Sequence, residues 1–198
     1  MNDVPVLEGF GCRLRPVTVA DAAFIIRVRN QPKAIGKLHA TSTSLADQEA
    51  WIRRYLARAG DYYWVIESVR TGEPVGVIGL YDVTPDGREA MPGRWTMLPQ
   101  EDVDGMAPIL LTYGFAFETL GVTRLVISVV PDNRRIIRFH QMCGATAIAV
   151  PVRYALEETA SGLQQNWFEL TPDAWRRMKA EWEPMLLVRG FPFPDPHV

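Results

Sequence analysis

The chain has 198 residues, with 21 basic and 23 acidic side chains, 47% hydrophobic content and 22% charged residues. One domain of this size buries roughly 70% of the surface that its unfolded chain exposes, so a core needs no staples, and a net charge of −2 gives no whole-molecule field for nucleic acid or anionic lipid. Two cysteines, Cys12 and Cys143, and three histidines, His39, His140 and His197, fit neither a disulfide framework nor metal-ligand spacing, and no metal is expected.

The opening residues MNDVPVLEGFGC carry no basic and apolar leader pattern, and no run of 18 apolar residues follows. The expectation is a reduced, cytoplasmic protein with neither a membrane nor a nucleic-acid partner. A first strand is predicted over Cys12 to Val17, where apolar residues alternate with Arg13 and Arg15. Thr18 and Asp21 then have capping-box spacing and open a helix that runs to about Asn30 and stops at Pro32. Ser44 and Asp47 repeat the signature before a stripe of Trp51, Ile52, Tyr55 and Leu56 that ends at Gly60.

Strands are predicted over Tyr62 to Val69 and Glu73 to Val83, joined by a turn at Arg70-Thr71-Gly72. Pro85-Asp86-Gly87 turns the chain into another strand near Gly93 to Leu98, and the sheet to this point should be antiparallel. A helix from Asp104 to Leu120 should end at Gly121. Arg124 to Val130 is too continuously apolar for an edge and reads as a buried central strand. A helix over about Asn133 to Cys143 is closed by Gly144, and strands near Ala145 to Val152 and Asn166 to Leu170 follow. The last helix opens at Thr171 with Pro172 in its first position, and its stripe of Trp175, Met178, Trp182 and Met185 reads as core or an interface face. Residues 1–198 read as a single domain with an extended, Pro-rich tail at 189–198 that carries Phe191 and Phe193.

This order is that of an α/β (α+β) fold with a mixed central sheet of about seven strands flanked by helices. The segment Asn133-Arg-Arg-Ile-Ile-Arg-Phe-His140-Gln-Met-Cys-Gly144-Ala resembles the pattern of the GNAT-type acyl-CoA N-acetyltransferases: Asn, seven residues on Tyr or His, four further on Gly. Arg13-Leu-Arg-Pro, Val75-Gly-Val-Ile-Gly79 and Leu170-Thr-Pro-Asp-Ala-Trp175 support the resemblance, which covers about Arg13 to Trp182. Arg27-Val-Arg-Asn30-Gln-Pro and Asp47-Gln-Glu-Ala-Trp51 are similar to the branch that acetylates amino sugars on nucleotides, with polyamine and ribosomal-protein acetyltransferases close by.

The resemblance implies acetyl-CoA as co-substrate and a primary amine of a small metabolite as acceptor, an amino sugar first, in a monomer or homodimer. A protein N-terminus or a polyamine is the alternative acceptor, and a noncatalytic GNAT-like binding module is the alternative role. Asn133 would bind the pantetheine arm. Seven residues make just under two helical turns, so His140 lies on nearly the same face about 10 Å further along. There it could give a proton to the departing thiolate, whose parent pKa is about 8.5. Bland roles stand beside these: Asn133 as a helix N-cap, and His140 as a core residue between Ile136, Ile137 and Met142. Backbone N–H groups near Met97 and Leu98 would hold the oxyanion, and Arg135 and Arg138 would approach the CoA phosphates. Asn30, His39, Tyr81 and Asp82 are the acceptor-side candidates, the last three also as possible bases.

The family cradles the CoA diphosphate on a loop at a helix N-terminus. Asp104-Gly105-Met106-Ala107 keeps the close-approach end, but the loop reads Gln100-Glu101-Asp102-Val103-Asp104, with Asp102 where the family has Arg or Gln. One carboxylate about 6 Å from a phosphate charge costs about 0.7 kcal/mol in water and about 3 at an effective dielectric of 20, enough to weaken binding by one to two orders of magnitude. Pro108 removes a further N–H from the first turn. In structural terms alone, Asp102 and Asp104 would cap the helix and favour its positive end.

Overall fold

A computed structural model describes residues 4–32, 41–99, 102–155 and 164–188. The eight strands, β1 Leu7–Gly9, β2 Cys12–Pro16, β3 Tyr62–Ser68, β4 Pro74–Tyr81, β5 Glu89–Met97, β6 Arg124–Val129, β7 Thr146–Ile148 and β8 Asn166–Leu170, form one sheet in the order β1-β2-β3-β4-β5-β6-β8-β7. The first five pair antiparallel as expected; β5 and β6 are parallel, and β8 runs antiparallel between β6 and β7. The helices are α1 Ala22–Arg29, α2 Leu45–Leu56, α3 Met106–Gly114, α4 Arg134–Met142 and α5 Pro172–Val188, with a further helical turn at 152–155. No helix of the described residues is long and apolar enough to cross a membrane.

Both faces of the sheet are covered, which is why β3 and β4 read as near-continuous apolar runs. Alternation still assigns the sides. Leu14, Trp64, Ile66, Ile78, Leu80, Leu125 and Ile127 meet α3 and α5, with Ile136, Ile137 and Phe139 of α4 packed alongside. Tyr63, Val65 and Val77 face the other way, onto Ile25, Val28, Ile52 and Tyr55 of α1 and α2. Met91, Val126, Tyr154 and Trp167 form a third cluster on that second face.

The local signals act as the sequence predicts at several ends. Thr18 and Asp21 make a reciprocal capping box, although it opens a 3-10 turn at Val19–Asp21 before α1. The Ser44 hydroxyl accepts the Asp47 N–H and starts α2. At the end of α4, Gly144 takes a φ of 82°, and Ala145 and Gly144 donate N–H bonds to the carbonyls of His140 and Gln141, a Schellman closure.

Five features differ from the expectation. Strand β1 is additional, β5 starts at Glu89 rather than near Gly93, and β7 is three residues long. The predicted helix over 104–120 begins at Met106 and ends in a π-helical turn, Phe115–Thr119, in which Leu120 N–H reaches the Phe115 carbonyl. On α5, Trp175, Met178 and Trp182 are buried, but Leu186 takes the fourth core place while Met185 is half exposed. The tail at 189–198, with Phe191 and Phe193, lies outside the described residues.

Strands β4 and β5 approach so closely that a Cβ on Gly76 would stand 2.6 Å from the Thr96 carbonyl oxygen and 2.8 Å from Met97 Cγ. Gly76→Ala must therefore displace backbone, and it is expected to destabilise the fold by about 1–3 kcal/mol. Thermal denaturation checks this; an unchanged midpoint would contradict it.

Candidate active site

Strands β5 and β6 pair at only two positions, Glu89↔Arg124 and Ala90↔Leu125. Beyond these, β5 stays with β4 as far as Met97, while β6 stays with β8 as far as Val129. The sheet thus splits into two halves that diverge towards the carboxyl ends of its one parallel pair. The N-terminus of α3 follows β5 and that of α4 follows β6. A wedge between the carboxyl ends of parallel strands, with helix N-termini nearby, is a common place for a ligand in an open α/β sheet.

On the α3–α4 side, Trp95 of β5 lies 5.7 Å, ring to ring, from Phe139 of α4, and its indole edge lies close to Gly105. His140, beside Phe139 and 7% exposed, keeps to the inner face of α4. Burial depresses its imidazole pKa to about 4. The side chain is therefore neutral at pH 7, where it serves as a neutral donor or acceptor. Met142, expected beside it, is 76% exposed instead. Asn133 occupies the N-cap position of α4, yet its side chain makes no capping bond. Arg135 and Arg138 are exposed on the same helix.

Among the described residues, four buried side-chain polar atoms lack a hydrogen-bond partner: Tyr55 Oη, Trp95 Nε1, His140 Nδ1 and Trp167 Nε1. Buried polar groups are nearly always satisfied, so each exception asks for a reason. Trp95 and His140 stand on two elements that flank the wedge, β5 and α4, where an inserted ligand could satisfy them.

In the loop before α3 one acid is paired with a cation and another occupies backbone donors that an anion would use. Asp102 is paired with Arg70 of the β3–β4 turn, which donates from Nε at 3.1 Å and also from Nη2. Asp104 accepts the Met106 N–H at 2.9 Å on Oδ1, and the Asp104 carbonyl accepts the Ala107 N–H. Asp104 thus caps α3, but Asp102 does not. These contacts also occupy two N–H groups of the first turn, Gly105 stands at the N-cap, and Pro108 has no N–H to offer. Gln100 and Glu101 lie outside the described residues.

The expected oxyanion donors fare differently. Leu98 N–H is bonded to the Val75 carbonyl at 2.7 Å and so is engaged in the ladder. Met97 closes the β4–β5 ladder opposite Gly76, and its carbonyl accepts from Gln31 Nε2.

On the α1–α2 side, Asn30 uses Nδ2 to cap α1 on the Ile26 carbonyl. Asp82 has a φ of 53°, accepts from the Tyr154 hydroxyl at 3.2 Å, and receives Arg153 on its carbonyl. Burial raises the Tyr81 hydroxyl pKa above its usual value, so it is a poor base at neutral pH. The Tyr81 ring lies 4.4 Å from the guanidinium of Arg94. His39 lies outside the described residues. Sequence reasoning missed Arg94, its partner Asp61 and the Trp95 indole. The one available signal was Pro92-Gly93 inside a strand, a mark of a bulge.

Residues 12–146 match the family model of the acetyltransferase (GNAT) domain. No curated protein matches the sequence. Among solved structures, FdhC in its apo form, described as a nucleotide-linked sugar GNAT, superposes with a TM-score of 0.76 at 23% identity, covering 92% of this chain and 99% of its own. An acetyltransferase structure from T. thermophilus gives 0.71 at 23% identity over 94% and 100%. The spermidine N-acetyltransferase from Vibrio cholerae, in complex with CoA and spermine, gives 0.68 at 14% over 84% and 99%. At such identities these likenesses speak for the fold.

Proposed function

The chain belongs to the GNAT acetyltransferase family, and from that premise we propose that it transfers an acetyl group from acetyl-CoA to a primary amine of a small metabolite, with a nucleotide-linked amino sugar as the first acceptor class. The observation that carries the reading is the wedge between β5 and β6, with the unpartnered Trp95 Nε1 and His140 Nδ1 beside it. Those two ring nitrogens fit a polar, slender group entering between the strands, and Asn133, free of its capping duty, fits an amide of the same arm. A bound thioester would supply an acyl carbon open to attack by a neutral amine. The chain's own task is then to orient that carbon, exclude water and hold the departing sulfur, which takes the proton released by the attacking amine; neutral His140 is the candidate hydrogen-bond donor to that sulfur.

The acceptor side favours a sugar over a polyamine. Asp61 is neutralised by Arg94, and Asp82 is held by Tyr154 and Arg153. Asp61 thus offers no free charge to a polycation, while the Asp82 carboxylate, bonded by the neutral Tyr154 hydroxyl with Arg153 on its main-chain carbonyl, keeps its own. Trp51 and Tyr81 supply flat aromatic faces, although Trp51 also packs on Tyr55 and Tyr63.

Thermal shift with acetyl-CoA tests the reading. Ligand at 100 times its dissociation constant stabilises by about 2.7 kcal/mol, a rise of roughly 5–10 °C for a chain of this size. No shift at millimolar acetyl-CoA would refute the enzyme reading and favour a binding module. Turnover with nucleotide-linked amino sugars, spermidine and peptides then ranks the acceptors. Because Arg70 masks Asp102, Arg70→Ala is expected to weaken acetyl-CoA by about tenfold at low salt, and Asp102→Asn not to weaken it. Equal affinity in wild type and Arg70→Ala would dismiss the masking.

A further inference from the structure

Opposite Ile78 of β4, strand β5 places two residues, Arg94 and Trp95, between the pairs Gly79↔Gly93 and Val77↔Thr96. This is a β-bulge on a strand that borders the wedge. Arg94 has a φ of 53°. Where the first bulge residue adopts this left-handed conformation, glycine is the usual occupant, and a side chain there costs about 1–2 kcal/mol. An arginine persists in such a place only if its surroundings hold it.

They hold it closely. The guanidinium is bidentate to Asp61, the Nη2 bond being 2.9 Å, and the two side chains are 16% and 7% exposed. Four rings surround the cation: Tyr81 at 4.4 Å, Tyr63 at 5.2, Trp51 at 5.5 and Tyr55 at 5.9. Two glycines make room for this arrangement. A Cβ on Gly79 would stand 3.2 Å from Arg94 Cδ, and one on Gly93 would stand 2.7 Å from the Tyr81 hydroxyl. The bulge therefore touches both faces of the sheet: Arg94 meets the rings on the α1–α2 face, and Trp95 meets Phe139 of α4 on the other.

We propose that Arg94, locked by Asp61, is a positioning residue that holds the β5 bulge in the geometry required for acyl transfer; the inference rests on the acetyltransferase reading above. The pair does no chemistry itself, since both of its charges are spent on each other. Its role is to keep the backbone from Gly93 to Met97, and with it the Trp95 indole, fixed against β4. Lysine cannot replace it, because an ammonium lacks the planar fork that engages both carboxylate oxygens and stacks on the rings.

The test uses Arg94→Lys and Asp61→Asn, which keep most of the volume but break the bidentate pair. Hydrogen exchange is followed over 91–98 and, as an internal control, over 124–129; kcat and the acetyl-CoA dissociation constant are measured alongside. Exchange in 91–98 is expected to quicken about tenfold with 124–129 unchanged. The kcat should fall about 100-fold, as misplacement of reacting groups by about 1 Å would cause, and acetyl-CoA affinity should weaken by a smaller factor than kcat falls, since Trp95 moves with the bulge. Unchanged exchange in both variants overturns the proposal. Faster exchange with an undiminished kcat overturns the catalytic consequence and leaves a purely structural clamp. If wild type binds no acetyl-CoA, it is the acetyltransferase reading that fails, and the exchange result still decides whether the pair holds the bulge.

Discussion

Replacing His140 with phenylalanine is expected to slow acetyl transfer by about 10- to 100-fold, the worth of a hydrogen bond to the charge that develops on the departing sulfur, while leaving the fold intact. Phenylalanine keeps the ring volume on the inner face of α4 and removes both nitrogens, so a loss of rate cannot be laid to a cavity. The pH profile carries the sharper expectation. Burial holds the imidazole pKa near about 4, so at pH 7 on the order of one molecule in a thousand is cationic. A cationic donor at that population would make kcat climb steadily as pH falls from about 8 to 5.5. The neutral ring, whose N–H is far less acidic than a thiol, holds the sulfur by a hydrogen bond while the proton shed by the attacking amine passes to the departing thiolate, and wild-type kcat should therefore show no His140 inflection between about pH 5.5 and 8. An inflection near 6.5 that disappears in His140→Phe would replace the neutral donor with a cationic one. An undiminished kcat in the variant would return His140 to the core.

The position of His140 was legible because a helix converts spacing into direction: Asn133, His140 and Gly144 are related by turns of one element, and the Schellman closure at Gly144 depends on neighbours in sequence alone. The same holds for Ser44 at the start of α2 and Pro172 at the start of α5. What was hidden is what folding brings together from afar. Arg94 and Asp61 are 33 residues apart, and Arg70 and Asp102 are 32 apart. Neither cation carries a local mark that names its partner. The countercharge of Asp102 is invisible in the sequence because it comes from a turn two strands away. Strand β1 escaped for a related reason: three residues have no measurable period, and its ladder exists only through the register Leu7↔Leu14 with β2. Strand β5 was read too short because Pro92 and Gly93 interrupt its pattern, and those residues turn out to prepare the bulge.

Replacing Asp21 with alanine is expected to cost about 3 kcal/mol of stability, the lower end for breaking a largely buried ion pair, and to lower the melting temperature by roughly 6–12 °C. The carboxylate accepts both terminal nitrogens of Arg15, at 2.9 and 2.8 Å, and also the N–H and hydroxyl of Thr18. Its loss would strip β2 of its tie to α1 and leave Arg15 with Glu67 alone. Burial by itself would raise the Asp21 pKa, but the hydrogen bonds from Arg15 and Thr18 outweigh it and hold the carboxyl below its ordinary value. A folded-state pKa below the unfolded one means that this contribution is complete above the ordinary carboxylate pKa of about 4 and is lost as pH falls through the lower folded value. The gap in unfolding free energy between wild type and Asp21→Ala, measured in urea, should therefore be full at pH 7 and shrink on acidification below about 4. A gap that stays constant down to pH 2 would show that the loss is one of packing alone. Because α1 carries Ile25 and Val28 onto the sheet beside Tyr63 and Val77, loosening it should also disturb the ring cage around Arg94. Asp21→Ala is thus expected to quicken hydrogen exchange in 91–98 as well as in α1, and Arg94→Lys to quicken it in 91–98 alone.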